Sequence, residues 1–110
     1  MGQTAAIKTD GTLWMWGYNV YGQLGDSTTT NRSAPQQTIS RGTNWKQVSG
    51  GNYHTAAIKT DGTLWTWGFN QNGQLGDSTL TNRSSPVQTI SGGTTWKQVS
   101  CGSSFTSALK

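Results

Sequence analysis

Trp16-Gly17-Tyr18-Asn19-Val20-Tyr21-Gly22-Gln23-Leu24-Gly25-Asp26 returns 51 residues further on as Trp67-Gly68-Phe69-Asn70-Gln71-Asn72-Gly73-Gln74-Leu75-Gly76-Asp77. Outward from that run, Thr4–Gly50 aligns with Thr55–Cys101, and 37 of the 47 aligned positions are identical. A third copy opens at Phe105-Thr106-Ser107-Ala108-Leu109-Lys110, which falls on His54–Lys59 and on Gln3–Lys8. Units this alike, each too small to enclose a core, stack so that a continuous interior forms between neighbours. Residues 1–53 are read as the first repeat, 54–104 as the second, and 105–110 as the first strand of a third, predicted to be a swapped or closing strand. No linker separates the repeats.

Within a repeat, Thr4–Lys8 and Thr12–Gly17 flank Thr9-Asp10-Gly11, and Asp-Gly between two strand-like runs is a hairpin signal. A two-residue turn at Asp10-Gly11 would pair Lys8 with Leu13, Ile7 with Trp14, Ala6 with Met15 and Ala5 with Trp16. Trp14 and Trp16 would then share a face with Ile7 and Ala5, and Lys8, Ala6, Leu13 and Met15 would share the other. Apolar content on both faces predicts a sheet lying between two others. A third strand is expected over Gln36–Ser40, after Pro35 ends the preceding loop, with Ile39 buried. Trp45–Ser49 supplies a fourth. Four short strands in a repeat of about fifty residues predict an all-β chain of propeller blades, each a four-stranded antiparallel sheet.

Composition agrees. Charged residues are 11% of the 110, and all four acids are Asp, which disfavours an enzyme built on clustered carboxylates. More than half of the chain is Gly or uncharged polar, a composition of strands and tight turns, while six Trp supply large apolar side chains. With no long apolar run and no basic leader, a soluble, untargeted chain without a membrane partner is expected. Cys101 is the single cysteine, excludes an internal disulfide, and reads as a chance small residue at the position of Gly50.

The runs Trp16–Asp26 and Trp67–Asp77 resemble the W-G-x-N-x-x-G-Q-L-G signature of RCC1 repeats, and Gly51-Asn52-Tyr53-His54-Thr55-Ala56-Ala57 is similar to the G-x-x-H-T-A-A segment of that family. The resemblance spans essentially the whole chain. It implies blades of a closed, usually seven-bladed β-propeller, of which this sequence holds two plus an extra terminal strand. Gln3 and Phe105 stand where the family pattern has His. The exchange activity on a small GTPase known in the family depends on inserted elements, and no insertion interrupts either copy.

The signature reads as architecture. Gly17, Gly22 and Gly25 and their second-copy equivalents suit turns or close backbone approach, and Asn19 and Asn70 can satisfy turn amides locally. Asp26 and Asp77 read as loop caps rather than metal ligands, since no second acid is near in sequence. His54, the only histidine, reads as a turn-stabilising or surface residue rather than a catalytic base. No catalytic, cofactor or metal site is expected.

The formal charge is +4, and Lys8, Arg32 and Lys46 recur as Lys59, Arg83 and Lys97. One set per blade makes a solvated surface the expectation, with nucleic acid an improbable partner. Candidate ligand contacts are Tyr18, Tyr21, Phe69 and Tyr53, aromatic residues read as exposed and suited to stacking on sugar rings.

A propeller closed into a ring buries every blade face, whereas two blades alone leave two apolar faces and an unpaired strand edge. Trp14, Trp16, Trp45, Trp65, Trp67, Trp96, Leu24, Leu75, Phe105 and Leu109 are the residues expected to pack blades together or to form the interface between chains. Head-to-tail contacts close into a ring when the rotation permits, so three or four chains would give six or eight blades. The predicted function is a non-catalytic scaffold that assembles in this way and presents loops to a protein partner, in an engineered or excised two-repeat form. The alternative is a multivalent glycan-binding module with one shallow site per blade.

Overall fold

The computed structural model describes residues 2–39 and 42–110. Among the described residues nine strands are present: β1 (Gln3–Ile7), β2 (Leu13–Gly17), β3 (Arg32–Gln37), β4 (Trp45–Gly50), β5 (His54–Lys59), β6 (Leu64–Gly68), β7 (Arg83–Gln88), β8 (Gln98–Cys101) and β9 (Thr106–Leu109). They form three antiparallel sheets, with orders β1-β2-β3, β4-β5-β6-β7 and β8-β9.

The β1–β2 connection has one residue more than the Asp-Gly dipeptide predicts. Lys8 N donates to Thr12 O at 2.9 Å, and Gly11 N donates to Lys8 O at 2.9 Å. Thr9, Asp10 and Gly11 thus form a three-residue loop, with Gly11 alone at positive φ, 85°. The cause lies in Asp10, whose Oδ1 accepts both the Thr12 amide (3.0 Å) and the Thr12 hydroxyl (2.7 Å). That local bond holds Asp10 in a right-handed turn and leaves only the glycine left-handed. Thr60-Asp61-Gly62 repeats the arrangement.

One extra loop residue slips the register by one and exchanges the faces. Ile7 pairs with Leu13, Ala6 with Trp14, Ala5 with Met15 and Thr4 with Trp16. The expected pairings of Trp14 with Ile7 and Trp16 with Ala5 are therefore wrong. Leu13 and Met15 share their face with Ile7 and Ala5, whereas Trp14 and Trp16 lie with Ala6 and Thr4.

β3 also differs from the expected Gln36–Ser40. It begins at Arg32 and runs through Pro35, which an outer edge strand tolerates because its missing N–H is not needed in the ladder. At Thr38 the chain leaves the sheet, and Ile39 N donates instead to Gly25 O at 2.8 Å. Ile39 is consequently 43% exposed rather than buried, and Thr38 is the buried residue. Ser40 lies outside the described residues.

The core sits between the first two sheets. Leu13, Met15 and the loop residue Leu24 pack with Ala57, Trp67 and Trp45, flanked by Ala5, Ile7, Val48 and Trp65. Trp45 and Trp67 meet edge to face at 5.8 Å. The second sheet is apolar on both faces, with Thr55, Ala56, Ala57 and Ile58 of β5 all buried. Its first strand, β4, comes from the first sequence repeat. Sheets and sequence units are therefore offset by one strand, and the boundary between the two repeats falls inside the second sheet, between β4 and β5.

Candidate interaction surfaces

The loop after β2 is organised by Asn19, which is fully buried. Its Nδ2 donates to Asp26 Oδ1, Thr28 O and Thr30 O at 3.2, 3.1 and 2.9 Å, and its Oδ1 accepts the Leu24 amide at 2.9 Å. Asn70 repeats these bonds in the second copy. A short amide side chain with two donors and an acceptor can close such a loop on itself. Asp26 accepts from the Thr28 amide and hydroxyl and from Arg32 Nε at 3.0 Å, and Asp77 does the same with Thr79 and with Arg83 at 2.9 Å. Burial opposes ionisation of Asp77, but the Thr79 hydroxyl and the Arg83 guanidinium outweigh it and hold its carboxyl at about 2; Asp26 is lowered by the equivalent partners. These carboxylates cap loops. Among the described residues no three His, Cys, Asp or Glu side chains gather as a metal site, and no helix is long and apolar enough to cross a membrane.

The recurring positive charges are largely engaged. Arg32 and Arg83 are in the ion pairs above, Lys8 lies 4.1 Å over Trp14, Lys59 4.3 Å over Trp65, and Lys110 5.0 Å over Trp96.

His54 is not a surface residue, although its carbonyl does accept the Gly51 amide at 2.8 Å across the turn between β4 and β5. It is fully buried, and its Nε2 lies 3.2 Å from Phe105 O, a carbonyl that can only accept. Burial pushes its pKa down, partly offset by the bond to Phe105. One repeat earlier, Gln3 Nε2 donates to His54 O at 2.8 Å. Equivalent side chains thus reach from each copy to the main chain of the next, and the series stops at Phe105, which has no donor. A donor at this position in two successive copies was the available signal, obscured by the change from Gln to His.

The four candidate ligand residues come together. Tyr21 lies 5.2 Å from Tyr53 and 4.8 Å from Phe69, and Tyr18 lies 5.8 Å from Tyr53, all tilted or edge to face. Tyr18, Tyr21 and Phe69 are half-buried against one another, and only Tyr53 is exposed, so these side chains are less open than the sequence suggests. The cluster straddles the junction of the first two repeats.

The remaining candidates divide by position. Trp45, Trp67, Leu24 and Leu75 are buried; Trp14, Trp16, Trp65 and Trp96 are half-buried; Phe105 and Leu109 are about 60% exposed. At the junction of the first two sheets, Trp67 presses on Gly25, where a Cβ would come within 2.7 Å of the indole nitrogen. Ser84 presses on Gly22, where a Cβ would lie 2.6 Å from Ser84 Cα, and Ser84 O accepts the Ser27 amide at 2.8 Å. Ser27 holds a left-handed φ of 67°, an uncommon conformation that the sequence does not signal. Thr55 Oγ1 completes the junction by donating to Gln23 O at 2.8 Å.

The geometry has clear relatives. The model of the regulator of chromosome condensation (RCC1) repeat matches residues 10–58 and 61–109. The ultraviolet-B receptor UVR8 of Arabidopsis thaliana is 37% identical over 99 residues, 88% of this chain and 22% of the receptor. The RCC2 homolog of Danio rerio is 37% identical over 101 residues, 90% of this chain and 20% of that protein. The crystal structure of Prp20p from Saccharomyces cerevisiae superposes with a TM-score of 0.84 at 18% identity, covering 97% of this chain and 28% of that one. The chain thus spans about a fifth of the length of these curated relatives. Two matched repeats, repeated loop geometry and sheets packed face to face make it a member of the RCC1 repeat family, folded as β-propeller blades.

Proposed function

We propose that the chain is a non-catalytic propeller scaffold that assembles head to tail with copies of itself and presents its loops to a protein partner. The observation that carries this reading is the strand inventory. The first sheet has three strands and lacks the counterpart of β4, while β8 pairs with β9 in the way β4 pairs with β5. Another chain's β1 takes the place of its repeat equivalent β9 beside this β8, with Thr4 standing where Thr106 stood. Completing a four-stranded sheet in this way satisfies the unpaired edge groups of β1, and stacking of that sheet on the other chain's second sheet covers the Trp14 and Trp16 face. Prp20p, with its binding properties to Gsp1p and histones, supports a protein-binding role for such blades. Sedimentation of the 110-residue chain tests the assembly: a multimer of even blade number is expected, and a monomer at hundreds of micromolar would overturn the reading.

The aromatic cluster favours a second reading, glycan binding at the repeat junction, because Tyr18, Tyr21, Tyr53 and Phe69 gather in one patch. Binding on a glycan array that is lost in Tyr18→Ala and Phe69→Ala chains would support it. No binding by either would remove it.

A further inference from the structure

The outer face of the second sheet carries a groove of about 340 Å³ whose lining includes Thr66, Gln74, Gly76, Thr89, Trp96 and Thr106. The glycine, threonine and serine features of the Gly25 junction have their equivalents here. Thr106 Oγ1 donates to Gln74 O at 2.8 Å, as Thr55 does to Gln23 O. Gly76 has the same left-handed backbone as Gly25, φ 66° against 68°, but a Cβ built on it would meet only Thr89 Cγ2, at 3.9 Å. A Cβ on Gly73 would meet only Leu80, at 3.8 Å, where Gly22 is pressed by Ser84. Ser78 holds φ 67° like Ser27, yet among the described residues its amide has no acceptor corresponding to Ser84 O. Glycines, groove and amide are formed as at the occupied junction.

The side chains that would complete this set lie at the other end of the chain. Trp16 and Ser33 are the equivalents of Trp67 and Ser84. Trp67 is fully buried, whereas Trp16 is half-buried on a face whose neighbours Thr4 and Ala6 are exposed; Ser33 is exposed on the edge strand β3. We propose that the groove receives Trp16 of a second copy of the chain, with Ser33 of that copy seated on Gly73 and its carbonyl accepting the Ser78 amide. The proposal rests on the head-to-tail reading and assigns its contact. The lining differs from its counterpart at Asn72, Ser104 and Phe105, which replace Tyr21, Tyr53 and His54, and at its floor, where Met15 is replaced by Thr66, its hydroxyl donating to Leu75 O at 2.6 Å. A smaller side chain at its floor leaves the indole room.

Two experiments on the full chain test the contact. Trp16→Ala removes an anchor from a surface the monomer leaves open, so the chain keeps its fold by circular dichroism while self-association measured by sedimentation weakens about thirtyfold or more, the scale of a buried aromatic hot spot. A Ser33→Cys, Ser78→Cys, Cys101→Ser chain should give, on mild oxidation, disulfide-linked multimers that reductant collapses to monomers. A wild-type chain that stays monomeric overturns both the assembly and this contact. A wild-type chain that assembles, with Trp16→Ala assembling equally well or the cysteine pair failing to link, overturns the contact alone.

Discussion

His54 and Asp77 give single residues measurable consequences in pH. The folded chain holds His54 neutral below its ordinary pKa of 6.5, so protonation favours the unfolded chain. Stability is full above pH 6.5 and declines as pH falls through the depressed folded value. A His54→Gln chain, which gives this position the side chain of Gln3, keeps a donor for Phe105 O and should lose that decline in thermal melts between pH 6.5 and 5. For Asp77 it is the charged form that the fold favours, and the consequence has the same sign: its contribution is complete above its ordinary value of 3.8 and disappears as pH falls through about 2. The melting temperature of the wild type should drop steeply between about pH 4 and 2. Asp77→Asn, already less stable at neutral pH, should show a shallower drop there. The caps were legible, because Asn19 and Asp26 make their bonds within the same loop. The role of His54 was not, since its partner is 51 residues away and the donor it shares with Gln3 is carried by a different side chain and missing from Phe105.

Two glycines separate backbone strain from packing between elements. Gly25 and Gly76 have nearly equal left-handed φ values, so Ala at either position carries the same conformational penalty, about 1–2 kcal/mol. Only at Gly25 does the new methyl meet the Trp67 indole. Chemical denaturation should therefore find Gly25→Ala the more destabilised chain, by a further 1–3 kcal/mol or so. Equal losses would mean that the indole shifts freely. Most strand locations could be read from the repeated runs and their turn residues. The register could not, because it depends on whether Asp10 uses its side chain or its backbone to make the turn, and that choice moves the side chains of one strand of the hairpin to the opposite face relative to the other.

Across the whole molecule, protection should be uneven. β5 is flanked by β4 and β6 and buried on both faces, whereas β1 and β9 border unpaired edges. Hydrogen exchange on dilute chain should show β5 slowest, with β1 and β9 fastest among the strands; assembly should then slow β1 and β8 in particular. Uniform protection at low concentration would mean that the edges are covered already. The stacking of like sheets followed from the repeat, but their number and grouping did not: two four-stranded blades and a spare strand were expected, and sheets of three, four and two strands are found. Nothing local in Trp45–Gly50 indicates that it pairs forward with the next copy instead of back with its own. That forward pairing has a consequence for how such chains vary in length. Inserting one more 51-residue copy would lengthen the array by a complete sheet while leaving both termini, and whatever they engage, chemically unchanged, so blade number can drift through simple duplication of coding sequence without either end being redesigned.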